Sequence, residues 1–140
     1  MSRVLIASIT QLCAADHRDN PAAIAAWTAN KSAEGVGQML DDPALTMLVA
    51  ERDNAVVAVG AVSGDAVMLN YVDPAHRGTG VSRALLAAME AALRVRGVTR
   101  ATLKSTATAR DFYRSQGWVE GEPAACGRFI DATTMHKLLG

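Results

Sequence analysis

Residues 71–86 read Tyr-Val-Asp-Pro-Ala-His-Arg-Gly-Thr-Gly-Val-Ser-Arg-Ala-Leu-Leu, and the fold turns on how this stretch is parsed. An aliphatic run, Ala66-Val67-Met68-Leu69, leads into it as a strand. Asp73-Pro74 halts the strand, because proline lacks a backbone donor and fixes φ. Gly78 and Gly80 flank Thr79 in a loop after Arg77, and glycine admits positive φ and close approach of a ligand. Val81, Leu85, Met89 and Ala92 then recur at helical spacing. A helix that begins at such a loop turns its unpaired first amides and positive dipole end back into it, which suits a phosphate. Arg77 adds a fixed positive charge at the same point. Neither familiar nucleotide motif fits: no lysine follows Gly80 as a P-loop requires, and a dinucleotide fingerprint lacks its third glycine, since Arg83 holds that position and Ala84-Leu85 stand where the last small turn should be. The same strand, loop and helix also describe an ordinary turn, so the rest of the chain has to decide.

Fourteen basic residues balance fourteen acidic ones in a chain of 140, which gives no general electrostatic reason to seek nucleic acid or a membrane surface. An anion site, if present, is local. Half of the residues are hydrophobic and only 4% aromatic, so the core is expected to be aliphatic, in one domain over residues 1–140. Cys13 and Cys126 stand far apart without metal-ligand spacing and read as free thiols of a reducing compartment. The apolar run at the N-terminus is too short for a signal peptide, and no stretch approaches the ~20 apolar residues of a membrane span. A soluble cytoplasmic protein without a metal is expected.

In chain order, Arg3 to Ile9 is rich in β-branched and aliphatic residues and reads as a first strand. Asp19 or Asn20 can cap a helix that Pro21 begins, and Ser32-Ala33-Glu34 opens a second, stopped by Asp41-Asp42-Pro43. Leu45–Glu51, Ala55–Val62 and Ala66–Val72 form an antiparallel meander, with Arg52-Asp53-Asn54 as a hairpin turn. A central helix runs from Val81 to about Arg96, with Glu90 facing Arg94 and Gly97 as its stop. Val98–Ser105 is a strand that returns parallel to Ala66–Val72 by a right-handed crossover. Thr108 and Asp111 resemble a capping box for a short helix ending at Gly117. Two strands, from Val119 onward and Arg128–Leu138, close the chain as a hairpin. The class is mixed α/β: an antiparallel meander, a βαβ crossover and a terminal hairpin.

The segment Val72 to Leu86 resembles the acetyl-CoA loop and helix of the GNAT N-acetyltransferase superfamily. Thr108-Ala109-Arg110-Asp111-Phe112-Tyr113-Arg114-Ser115-Gln116-Gly117-Trp118 is similar to that family's second signature, a Phe-Tyr pair followed by Gly and an aromatic residue. Both motifs occur in the family's order and spacing, and the resemblance extends over the whole chain. It implies the acyl-CoA N-acyltransferase fold and acetyl-CoA as co-substrate. The pyrophosphate would meet Arg77, Gly78, Thr79, Gly80, Val81, Ser82 and Arg83. The pantetheine arm would pair with backbone at Asn70, Tyr71 and Val72. An amide near Asn70 or Tyr71 would stabilise the tetrahedral oxyanion, a donor worth ~3 kcal/mol. Tyr113 would protonate the leaving thiolate and touch the cofactor. Thr108 stands where asparagine often meets the CoA arm; it either does so or only caps the helix.

The chain departs from the family pattern at three places. Ser82 replaces a glycine or alanine, Trp118 replaces phenylalanine, and Ala66 stands where some members carry a glutamate base. Asp65, Glu34 or water remain as candidates to deprotonate the acceptor. Lys104 and Arg114 could meet a 3′-phosphate or stay solvated. His76 and Trp27 have bland readings as a loop histidine and a core residue, and His17 and His136 lie in separate regions. The implied function is transfer of acetyl from acetyl-CoA to a primary amine by direct attack, with a small molecule as acceptor and a homodimer left open. A non-catalytic acyl-CoA-binding sensor module is the alternative, mildly favoured by the missing glutamate.

Overall fold

The chain opens with a helix where a strand is expected. A computed structural model describes residues 1–12, 18–106, 109–126 and 130–139. Helix α1 (Ser2–Leu12) buries Val4, Leu5, Ser8 and Ile9, a spacing that belongs to one helical face and not to the alternation of a strand. Its β-branched content points to a strand, but burial of this face against the sheet outweighs that preference.

Helix α2 (Pro21–Thr28) starts at Asn20, whose Oδ1 accepts from the amides of Ala22 and Ala23. Helix α3 (Ala33–Asp41) starts at Ser32, whose Oγ accepts from the Gly35 amide at 3.1 Å. Ser2 Oγ donates to the Lys31 carbonyl, so α1 is tied to the link between α2 and α3. Strands β1 (Thr46–Arg52), β2 (Ala55–Ser63) and β3 (Ala66–Val72) pair antiparallel in sequence. Asp53 and Asn54 take φ of 54° and 63° between β1 and β2, a left-handed turn that these two residue types tolerate. A 3-10 turn (Pro74–His76) leads to α4 (Val81–Val95), then β4 (Arg100–Ser105), α5 (Arg110–Ser115), β5 (Val119–Cys126) and β6 (Ile130–Leu138).

The six strands lie in the order β1-β2-β3-β4-β6-β5, with β3 and β4 parallel and the other neighbours antiparallel. The expected meander, crossover and hairpin are therefore present, with β6 between β4 and the edge strand β5. Val81, Leu85, Leu86, Met89 and Leu93 of α4 pack on Val62, Val67, Ala101, Leu103 and Met135 of the sheet. On the other face Val4, Leu5 and Val36 pack around Val59. Strand β2, covered on both faces, accordingly reads as a continuous apolar run.

Glu90 does not meet Arg94 on the helix surface. It is buried and pairs with Lys137 of β6 at 2.6 Å, while Arg94 Nε donates to the Leu139 carbonyl at 2.9 Å. Lys137 Nζ also donates to the Gln116 carbonyl at 2.8 Å, so one ammonium joins α4, β6 and the end of α5. Cys13, His17 and Thr108 lie outside the described residues, and among those described no helix is long and apolar enough to cross a membrane.

Gly35 marks the tightest seat of α3. A Cβ there would lie 2.1 Å from the Asn30 carbonyl oxygen, whereas one at Gly37 of the same helix would meet nothing within 4 Å. Gly35→Ala is expected to destabilise the protein by about 2 kcal/mol, since backbone has to move. Gly37→Ala is expected to gain about 0.5–1 kcal/mol from helix propensity. Denaturant midpoints for the two variants check this, and equal midpoints would contradict the seat.

Candidate functional site

Strands β3 and β4 share only two register pairs, Ala66↔Thr102 and Val67↔Leu103, and then part. Beyond them the β4 side of Met68–Val72 has no neighbouring strand to satisfy its peptide groups. A recess of about 50 Å³ occupies the parting, lined by Leu69, Asn70, Tyr71, Lys104 and Tyr113 among others. It adjoins a cleft of about 390 Å³ whose wall brings together Asn70, Tyr71 and Val72 from β3, Arg77, Gly78, Gly80, Ser82 and Arg83 from the loop and α4, and Tyr113 from α5. Nine of the twelve residues that the sequence nominates for the site thus line one cavity of ligand size.

The loop has a geometry that suits an anion. Gly78 and Gly80 both take positive φ, 78° and 85°. Gly80 accepts from the Ala84 amide at 3.1 Å and supplies no side-chain cap, which leaves the amides of Val81, Ser82 and Arg83 without intrahelical partners. Thr79 does not line the cleft; its Oγ donates to the His76 carbonyl at 2.6 Å and fixes the turn. Val81, the first residue of α4, turns its side chain into the core, so only its backbone is available. The loop is anchored at its start by Asp73, which accepts from Arg3 at 2.8 Å and from the Ala75 amide at 3.1 Å. The amide bond and the Arg3 guanidinium together hold the Asp73 carboxyl below its ordinary range.

Tyr113 is buried, and desolvation pushes its hydroxyl up to about 12. Asn70 Nδ2 donates to the Tyr113 hydroxyl at 3.2 Å, which leaves the phenolic proton free to point elsewhere. Phe112 and Trp118 wedge the ring at centroid distances of 5.4 and 6.1 Å. Trp118 is buried, and its Nε1 finds no partner among the described residues. Tyr71 is held from the other side, since Trp27 Nε1 donates to its hydroxyl at 3.2 Å. Trp27 therefore braces a residue of the cleft wall.

Several other expectations shift. Asp65 lies in the exposed turn before β3, five residues from Asn70, which in a strand is about 16 Å. Glu34 is exposed in the first turn of α3, and neither acid lines the cleft. Arg114 is engaged by Asp111 and Glu120, while Lys104 reaches the recess. The amide of Ala109 donates to Thr106 Oγ1 at 3.3 Å, so Thr106 caps the approach to α5. Ala109, Phe112, Ser115 and Gln116 of the second signature also line the cleft, as do Ser8 and Thr106, to which neither motif points. Ser8 is detectable only once α1 is read as a helix, where it is the polar residue on the buried face.

Comparison with known proteins agrees with this fold. The family model described as "Acetyltransferase (GNAT) domain" matches residues 13–139. A GCN5-related N-acetyltransferase structure from Rhodopseudomonas palustris superposes with a TM-score of 0.88 at 24% identity, covering 98% of this chain and 86% of the other. The PaiA N-acetyltransferase of Thermoplasma acidophilum, solved with coenzyme A, gives 0.78 at 15% identity over 98% and 89%. A ribosomal-protein-alanine N-acetyltransferase from Brucella melitensis gives 0.63 at 26% identity over 75% and 77%. No curated protein matches the sequence.

Tyr71 and Tyr113 are the two tyrosines of the chain, so ionisation of Tyr113 can be followed by ultraviolet difference spectra with Tyr113→Phe as the reference. The folded pKa of Tyr113 lies above the unfolded value, so its contribution to stability is complete below ~10 and is lost as pH rises toward the folded value of about 12. Unfolding free energy is expected to fall with pH over that window, and Tyr113→Phe is expected to lack this slope. An identical slope in the variant would contradict the burial of that hydroxyl.

Proposed function

Since the chain belongs to the GNAT acetyltransferase family, we propose that it transfers the acetyl group of acetyl-CoA to a primary amine of a small molecule by direct attack, without an acyl-enzyme. The supporting observation is the meeting, in one cleft, of the Gly78–Arg83 cradle, the open edge of β3 and the buried Tyr113 hydroxyl. The diphosphate of the coenzyme sits on the amides of Val81, Ser82 and Arg83, with Arg77 and Arg83 as counter-charges. The amide-rich pantetheine arm takes the strand position that β4 leaves vacant beside Asn70 to Val72. This brings the thioester to Tyr113.

The neutral amine nitrogen attacks the carbonyl carbon, and the electron pair moves to oxygen, where a backbone amide near Asn70 or Tyr71 meets it. Collapse of the tetrahedral species breaks the C–S bond. The departing sulfur takes the phenolic proton of Tyr113, which Asn70 leaves unengaged. The proton lost by nitrogen goes to water, and water returns one to the Tyr113 phenolate, so that amide and free thiol are the net products. A hydroxyl held at about 12 remains protonated throughout the working range.

The test is thiol release from acetyl-CoA with a panel of amines. Release is expected to require an amine. Tyr113→Phe is expected to lower kcat about a hundredfold with KM for acetyl-CoA little changed. Arg77→Ala is expected to raise that KM instead. Tight coenzyme A binding without amine-dependent release across the panel would replace this reading with the sensor module.

A further inference from the structure

Helix α5 carries the proposed acid, yet it has only six residues, too few to hold itself. Its end is closed by bonds that depend on a glycine. Gly117 takes a φ of 92°, its amide donates to the Arg114 carbonyl at 3.1 Å, and the Trp118 amide donates to the Tyr113 carbonyl at 3.0 Å. The second bond ties together the two residues whose rings pack edge-on at 6.1 Å. This closure leaves the Gln116 carbonyl to be met from outside the helix. Lys137 of β6 meets it, with Nζ donating to that oxygen at 2.8 Å. The lysine stem runs beside Gly117, where an added Cβ would stand 3.4 Å from Cε.

The same ammonium lies 2.6 Å from Oε1 of Glu90, which is buried in the third turn of α4. Oε1 accepts no aligned hydrogen bond among the described residues, so the contact is one of charge. Helix α4 begins at the cradle proposed for the diphosphate. One side chain is thus bonded to the turn that seats Tyr113 and paired with the helix that seats the coenzyme. The ion pairs of Arg110 and Arg114 with Glu120 also reach α5, but they are partly exposed to solvent, where such pairs contribute little.

We infer that Lys137 is a positioning residue for the transfer, and that with Glu90 it sets the distance between the diphosphate seat and the Tyr113 hydroxyl. This rests on the transferase reading above and adds to it a group that does not line the cleft. Lys137 acts through the backbone of α5. A coenzyme anchored at the start of α4 presents its sulfur at a fixed distance from that helix. The phenolic proton reaches the sulfur only within hydrogen-bond range, so a shift of α5 against α4 slows the chemical step and leaves the diphosphate seat intact. The signature is a loss in kcat with KM for acetyl-CoA preserved.

The experiment separates this role from plain stability. Lys137→Met removes the cap and strands a buried carboxylate, which costs stability whatever the role of the lysine. The double variant Glu90→Met/Lys137→Met removes both charges, so it is expected to regain most of the denaturant midpoint while still lacking the cap. With thiol release from acetyl-CoA followed on the amine that the wild type uses best, both variants are expected to show a kcat about ten- to a hundredfold lower, with KM for acetyl-CoA within about twofold. Alkaline ultraviolet titration, with Tyr113→Phe as the reference, is expected to place the Tyr113 hydroxyl below its wild-type value of about 12 in both, as water reaches it. Wild-type kcat in the double variant, a loss carried by KM instead, or an unchanged Tyr113 titration overturns the inference and leaves the transferase standing. If the wild type releases no thiol with any amine, the transferase falls by itself, and the titration alone decides whether Lys137 seats Tyr113.

Discussion

Two parallel strands that pair for only two residues each are the constraint on which the site depends. Had β3 and β4 stayed in register to their ends, their peptide groups would satisfy one another and the sheet would be closed. Their parting after Val67 and Leu103 opens a gap in the middle of the sheet beside Leu69, Asn70 and Tyr71. The gap lies directly before the loop that starts α4, so strand edge and helix N-terminus converge on one cleft. Ligand-binding crevices at the carboxyl ends of parallel strands arise in the same way in other α/β sheets.

Such a gap needs a rigid frame on either side. On the β3 side, α1 supplies it: Arg3 reaches Asp73 at 2.8 Å, and Val4 and Leu5 pack on Val59 of β2. On the β4 side, the buried Glu90–Lys137 pair performs the equivalent task. Burying two charges has a desolvation cost, and removing either partner strands the other. The pair is useful here because Lys137 also caps the Gln116 carbonyl, which fixes α5 and with it Tyr113.

Much of this was legible from the residues. The Gly78–Gly80 loop, the apolar stripe of α4 and the Asp53-Asn54 turn are local signals, set by φ preferences and periodicity. The strand boundaries from Ala55 to Val72 follow from short-range pattern for the same reason. The N-terminal segment reads as a strand because Val4, Ile6 and Ile9 favour one locally, while the burial that makes it a helix comes from β2 and β3, far along the chain. Ser8 went unseen for that reason. The Glu90–Lys137 pair was illegible because its partners are 47 positions apart, and a surface pairing with Arg94 satisfied every local rule. Conversely, Asp65 and Glu34 look like bases in one dimension, and only the fold shows that neither lines the cleft.

The hydrogen bond from Trp27 to Tyr71 has an optical consequence. The chain holds two indoles in unlike surroundings. Trp118 is sealed in the core at 2% exposure, and Trp27 leans on the wall of the cleft. Fluorescence from the first reports whether the core is intact, and fluorescence from the second reports on what enters beside Tyr71. The protein thus carries its own reference lamp and its own sensor, and cofactor occupancy can be followed by emission without an attached dye.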